Sequence, residues 1–303
     1  MLMNTMRSRP VHWLSILFLV LLTLCRSARE GNQDSTPAIP DQGNGPDITQ
    51  VKNIYYTIPS PAEMMEVMQE EEMNFHGKLL NPVASIEYYG QVKSGSMNLG
   101  VYLTDLAYCS VFGRHEAAVD YLKAVEKLAG QLRIQGAISE SMIKRAMDHI
   151  GDPDSLFEIS NEAFVNMVML CEETGRSNTL VMITCGAMVE SLYLATSHVE
   201  YADDAEHLFR HLADQKYMLD NFWAFANSLS GDPYMAGVIN DLKPLEELYG
   251  KLGNSPGQTT MKRKDDGTLV IGGSAQPALS VEEFDNLKKT VNNIRTGIVT
   301  VNK

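Results

Sequence analysis

From residue 54 to about 250 the apolar positions recur at helical spacing almost without interruption, and the segments between them are short and polar. Helix starts are marked by Ser60-Pro61-Ala62-Glu63 and by Asn81-Pro82, Asp152-Pro153 and Asp232-Pro233, each a capping side chain followed by proline. Proline suits the first helical position because the N–H it lacks would have no partner there. Gly113, Gly136, Gly175 and Gly231 stand where helices should stop. The pattern predicts helices over 61–77, 82–90, 94–112, 115–134, 139–150, 153–174, 177–197, 202–229 and 233–250, the last kinked or split by Pro244. Connections of a few residues imply antiparallel neighbours.

Beyond Leu252 the chain changes character. Residues 253–260 read as a loop, and Met261–Lys264 and Thr268–Ile271 flank Asp265-Asp266-Gly267, a hairpin signal. Two strands alone are marginal in water, so the hairpin is expected to lie on the helical body. Ser280-Val281-Glu282-Glu283 is a capping box opening a final helix. The expected fold is all-α: antiparallel helical hairpins in an irregular bundle or solenoid-like stack, with a small C-terminal β-hairpin and a last helix. Residues 98–134 carry part of a tetratricopeptide pattern, but Leu103 stands where its tyrosine belongs and no second segment matches, so a repeat array is not expected.

The N-terminus changes the picture of where the protein works. Arg7 and Arg9 precede Leu14–Leu24, an apolar run broken only by Ser15 and Thr23. The run is too short to span a bilayer and suits the core of a signal peptide. Residues 1–27 are therefore read as a signal peptide, 28–53 as a flexible linker, 54–252 as the helical domain and 253–303 as the hairpin and helix. Cys25 lies just after the apolar run, where a bacterial lipoprotein carries its acylated cysteine. Leu24 before it departs from the preferred small residue, and cleavage after Ser27 fits as well.

Charge excludes one class of partner. The chain has 38 acidic and 25 basic residues and a formal charge of −13, and Arg7, Arg9 and Arg26 all fall in the first 28 residues. So acidic a body repels phosphate backbones, and no nucleic acid is expected.

Three stretches carry a resemblance: Tyr56-Thr57-Ile58-Pro59-Ser60-Pro61-Ala62-Glu63, Leu79-Leu80-Asn81-Pro82 and Met97-Asn98-Leu99-Gly100-Val101-Tyr102-Leu103-Thr104-Asp105-Leu106. Together they resemble an uncharacterised family of exported, all-helical proteins of Gram-negative envelopes, some lipoprotein-like. The resemblance covers mainly residues 54–134. It implies the fold and an envelope location, periplasmic or membrane-anchored, and supplies no catalytic residues.

Candidate chemistry is sparse. Asn98, Tyr102, Asp105 and Cys109 fall on one side of a helix that is apolar nearly all round, so Asp105 must be hydrogen-bonded or protonated. Such a group serves either as an internal network that fixes helix register or as a polar patch in a ligand pocket made by Asn98, Tyr102 and Asp105. His207 and His211 lie one turn apart with Asp214 beyond them, a spacing that metals accept, although an exposed solvated face explains it without a metal. Gly253-Asn254-Ser255-Pro256-Gly257 matches G-x-S-x-G by letter but lacks the strand and helix a nucleophile elbow needs. Cys109, Cys171 and Cys185 sit in apolar helices, and the methionines at 64, 65, 68 and 73 read first as core filling and second as an adaptable binding groove. No catalytic residue or cofactor is assigned. The expected function is an exported helical binding or scaffold protein with a protein partner in the envelope and, through a lipid at Cys25, the membrane. The alternative is a small-ligand receptor or enzyme built around Asn98, Tyr102 and Asp105.

Overall fold

A computed structural model describes residues 61–197, 206–252, 259–263, 269–273 and 279–300. The expected signal peptide and linker, Cys25 and the Gly253–Gly257 match lie outside the described residues.

Two helices that are apolar on nearly every side form the centre: α2 (Val92–Val111) and α6 (Ser177–Ser197). A helix without a polar face has to be wrapped by others, and these two are packed mainly against each other. They touch backbone to backbone. A Cβ on Gly100 would stand 2.0 Å from the Ile183 carbonyl oxygen, and one on Gly186 would stand 1.8 Å from that of Met97. Beside this crossing Thr104 Oγ1 donates to both Gly100 O and Ala187 O at 3.2 Å, which fixes the register of the pair. Helix α6 is long and apolar enough to cross a membrane, yet most of it is buried inside the protein, as befits a core helix.

Around this pair lie α1 (Pro61–Glu70), α3 (His115–Gln131), α4 (Glu140–Asp148), α5 (Pro153–Glu173), α7 (Glu206–Ser228), α8 (Pro233–Lys251) and α9 (Val281–Val299). The tightest pairing joins α2 to α6 across three intervening helices, whereas a solenoid packs each unit on its sequence neighbours. The fold is therefore a helical bundle and not the solenoid-like stack.

Several boundaries obey local rules. Asp152 accepts from Ser155 N, Asp232 accepts from Tyr234 N and Met235 N, and Ser280 and Glu283 complete the capping box. Gly113 and Gly175 take positive φ, and the next residue's N–H reaches back five positions, Arg114 N to Cys109 O and Arg176 N to Cys171 O. The same closure is made without glycine at Glu72 (φ 53°) and Arg133 (φ 56°). It ends α1 at Glu70, earlier than the expected residue 77. Segment 82–90 is a 3₁₀ helix over Val83–Tyr88, and Asn81 does not cap it. Helix α8 continues through Pro244 rather than splitting there.

The expected packing of a C-terminal hairpin on the bundle is not supported. Thr259–Arg263 and Leu269–Gly273 pair antiparallel with each other, Met261 opposite Ile271, and add no layer to the helical architecture. Met64, Met65 and Met68 are buried, as are Phe222, Trp223 and Phe225 on α7, so these methionines and aromatics are core. Cys109, Cys171 and Cys185 are buried free thiols, held protonated by burial, which pushes Cys109 up to about 12.

Candidate functional site

The polar side of α2 faces the Leu79–Pro82 turn. Asn81 is the hub of this contact. Its N–H donates to Asp105 Oδ2 at 3.1 Å, and its Nδ2 donates to Asn98 Oδ1 at 3.0 Å and to the Tyr89 hydroxyl at 3.1 Å. Its carbonyl accepts from Tyr121 Oη at 3.0 Å, while Tyr102 Oη donates to Pro82 O at 3.0 Å. An irregular turn inside a protein has backbone groups that no helix satisfies, and here side chains from α2 and α3 supply the partners. The last turn of α9 is held in the same way. Asn98 Nδ2 donates to Ile298 O at 3.0 Å and Tyr89 Oη donates to Val299 O at 3.1 Å. Those carbonyls belong to a helix end that would otherwise leave them bare.

Arg295 of α9 completes the network. Its guanidinium donates to Glu190 at 3.0 and 3.2 Å and to Leu79 O at 3.0 Å, and it lies 4.4 Å over the Tyr193 ring. Glu190 and Asp105 are both wholly buried and hydrogen-bonded to each other, and such a bond requires one proton. Burial raises both carboxyls. At Asp105 the charge of Glu190 raises it further, whereas at Glu190 the adjacent Arg295 opposes the rise. Asp105 therefore carries the proton, and Glu190 is the carboxylate of an ion pair with Arg295. Asp105 Oδ1 accepts from no donor, which fits a neutral acid and not a carboxylate.

Asn98, Tyr102 and Asp105, expected as lining of a ligand pocket, are thus 0% exposed and fully engaged in joining α2, the Leu79–Pro82 turn and α9. What the arrangement does is hold backbone.

The space for a ligand lies on another side of α2. A cavity of about 530 Å³ opens between α2, α3, α4, α5, α6 and α7. Its walls are apolar, among them Leu106, Met142, Leu156, Met167, Ile183 and Leu192, and among the described residues no charged side chain lines it. Ser110, Thr184, Ser191 and Gln215 are polar points on this surface, joined by Ser160 and Asn161 on α5. Small residues make the room: Ala107 on α2, Ala146 on α4, Ala163 on α5 and Ala187 on α6 all face the cavity. Phe157 of α5 lines it yet is 38% exposed, so α5 forms the rim where cavity meets solvent. The volume falls within the roughly 300–1,000 Å³ of ordinary small-molecule sites.

The histidine pair does not form a centre with Asp214. His207 Nδ1 turns to α1, 3.3 Å from Glu71 Oε1 and 4.0 Å from Glu70 Oε2, and His211 Nε2 lies 3.2 Å from Gln215 Nε2. Asp214 is exposed, and among the described residues no three His, Cys, Asp or Glu side chains are grouped as a metal would need.

Sequence reasoning missed Asn81, Glu190, Arg295 and the cavity. Glu190 did leave a signal: it is the one ionisable acid or base with a formal charge in the 21-residue apolar segment Ser177–Ser197, and a lone charge there requires a partner. Asn81 read as a helix cap because its long-range bonds have no local signature. Comparison with protein families, with curated proteins and with solved structures gives no match to this chain.

Proposed function

We propose that this chain is a non-catalytic binding protein of a bacterial envelope, exported by its N-terminal segment, whose helical body encloses a small apolar molecule. One observation carries the binding reading: a cavity of about 530 Å³ in a bundle whose central helices otherwise meet backbone to backbone. Protein interiors close around voids unless something fills them, since each unfilled site forfeits contacts. The ordered network at Asp105, Glu190 and Arg295 serves this reading as a frame, because it fixes α2, α6 and α9 on the side away from the cavity.

Export is supported by Arg7, Arg9 and the Leu14–Leu24 run, and the Gram-negative envelope by the resemblance of residues 54–134. A lipid on Cys25 would put the cavity next to a membrane, where apolar cargo and an envelope protein partner both reside. The intact mass of mature protein from its own cells separates an acylated Cys25 from a chain cut after Ser27.

The binding reading is tested by titrating the full, delipidated chain with N-phenyl-1-naphthylamine, an uncharged fluorophore that brightens in apolar surroundings. Saturable binding near one equivalent, abolished by filling the cavity through Ala146→Phe or Ala163→Phe, is the expected result. Fluorescence that does not saturate, or that survives both substitutions in folded protein, would refute it.

A further inference from the structure

We infer that the cavity takes an uncharged, largely hydrocarbon molecule whose polar end is a hydrogen-bond donor, with a long-chain alcohol as the simplest form. The inference rests on the binding reading above and narrows it to a ligand class.

The first ground is charge. No Lys, Arg, His, Asp or Glu is among the described residues that line the cavity, so an ionised ligand head would enter an apolar chamber without a counter-charge. A fatty-acid carboxylate or a quaternary amine is disfavoured on this ground alone.

The second ground is the direction of the polar points. Ser110 Oγ spends its proton on Leu106 O at 2.8 Å, and Ser191 Oγ spends its proton on Ala187 O at 2.9 Å. Each hydroxyl therefore offers the cavity lone pairs only. Gln215, 4% exposed, uses Nε2 on the His211 carbonyl and beside the His211 ring, which leaves Oε1 as its remaining polar atom, again an acceptor. Thr184 differs. It is 8% exposed, lines the cavity, and its hydroxyl makes no hydrogen bond among the described residues, unlike Thr104, Ser191 and Thr196, which bond back to their own helices. It is a buried, unpartnered group on the cavity wall, able to donate or accept. Ser160 and Asn161, the other polar residues of the lining, belong to the rim helix α5, where Ser160 is exposed and Asn161 half-buried. Inward of that rim, three acceptors and one versatile hydroxyl suit a ligand hydroxyl, which can donate to an acceptor while accepting from Thr184. There a carboxylate would find one donor and no cation, and an ester would find one donor and leave the acceptors unused.

The test is displacement of N-phenyl-1-naphthylamine from the full, delipidated chain by 1-hexadecanol, palmitate and methyl palmitate at pH 8. Hexadecanol is expected to displace the probe at concentrations at least tenfold below either competitor. Thr184→Val, nearly isosteric and removing a hydroxyl with no protein partner, should fold normally and bind the probe unchanged while losing most of the alcohol's advantage. Palmitate equal to or better than hexadecanol would overturn the ligand class while leaving the binding reading in place. An unchanged alcohol preference in Thr184→Val would overturn the assigned head-group contact. If the probe never enters wild-type protein, the binding reading falls and this inference falls with it.

Discussion

Replacing Asp105 with asparagine should make the protein more stable at neutral pH, although a buried acid with a long-range hydrogen bond is being removed. Asparagine is nearly isosteric, and its Oδ1 can accept from Asn81 N–H while its Nδ2 donates to Glu190, the role assigned to the Asp105 proton. What changes is proton linkage. Asp105 binds its proton more tightly in the folded protein than in the unfolded chain, because burial and then the Glu190 charge raise it well above the usual aspartate range. The folded state therefore holds an extra proton, and raising the pH favours unfolding. The contribution is fully present below the ordinary aspartate pKa and is lost as pH climbs toward the raised folded value. Within that window each pH unit costs the wild type about 1.4 kcal/mol relative to a side chain that does not titrate. From pH 5 upward the stability difference between Asp105→Asn and wild type should therefore move in favour of the variant at about that slope until Asp105 titrates in the folded protein. Urea unfolding of both proteins at half-unit steps from pH 4.5 to 8 measures it directly. The variant's curve should rise relative to wild type as pH increases. Parallel curves would show that Asp105 is ionised in the native state, and the proton assignment would be wrong.

The other predictions follow from the same contacts. Arg295→Met leaves the Glu190 carboxylate buried without its cation and should cost about 3–5 kcal/mol by urea unfolding, most of it recovered when Glu190→Leu is added. Gly186→Ala puts a Cβ within 1.8 Å of Met97 O, a backbone atom that cannot swing aside, so it should lower stability by at least ~1–3 kcal/mol, whereas alanine at exposed Gly250 should be nearly silent. Arg133→Gly relieves a positive φ at an exposed site and should raise stability by about 0.5–1 kcal/mol in the same assay; a loss would mean that the arginine side chain matters more than its backbone.

How far the sequence revealed this protein depends on whether a signal is local. Helix starts at Asp152 and Asp232 were legible because the cap and the following proline act within one turn, and Ser280 with Glu283 reads the same way. Asn81-Pro82 has identical grammar but another use, since Asn81 is claimed by Asp105, Asn98 and Tyr121, all more than a dozen residues away. Ends at Gly113 and Gly175 were legible, while those at Glu72 and Arg133 were not, because there tertiary packing overrides the steric preference that glycine advertises. The polar face of α2 was correctly grouped as Asn98, Tyr102 and Asp105, and its demand for a satisfied or protonated Asp105 followed from burial alone. Its use as a brace between distant segments required knowing that α9 and the Leu79–Pro82 turn meet there. The cavity was the least legible feature. It consists of missing atoms, and each of Leu106, Met142 and Ile183 reads on its own as core. Only the alanines at 107, 146, 163 and 187, converging from four helices, create it, and sequence periodicity does not say that they converge.

The central claim is that this bundle is built around a molecule it carries. Native mass spectrometry of the full protein, taken from its own cells without detergent, tests that claim most directly. The account predicts a second species heavier than the bare chain by a single small molecule, released on denaturation and recovered in the organic phase as an uncharged compound. A bare chain throughout, from cells in which the protein is folded and abundant, would contradict it.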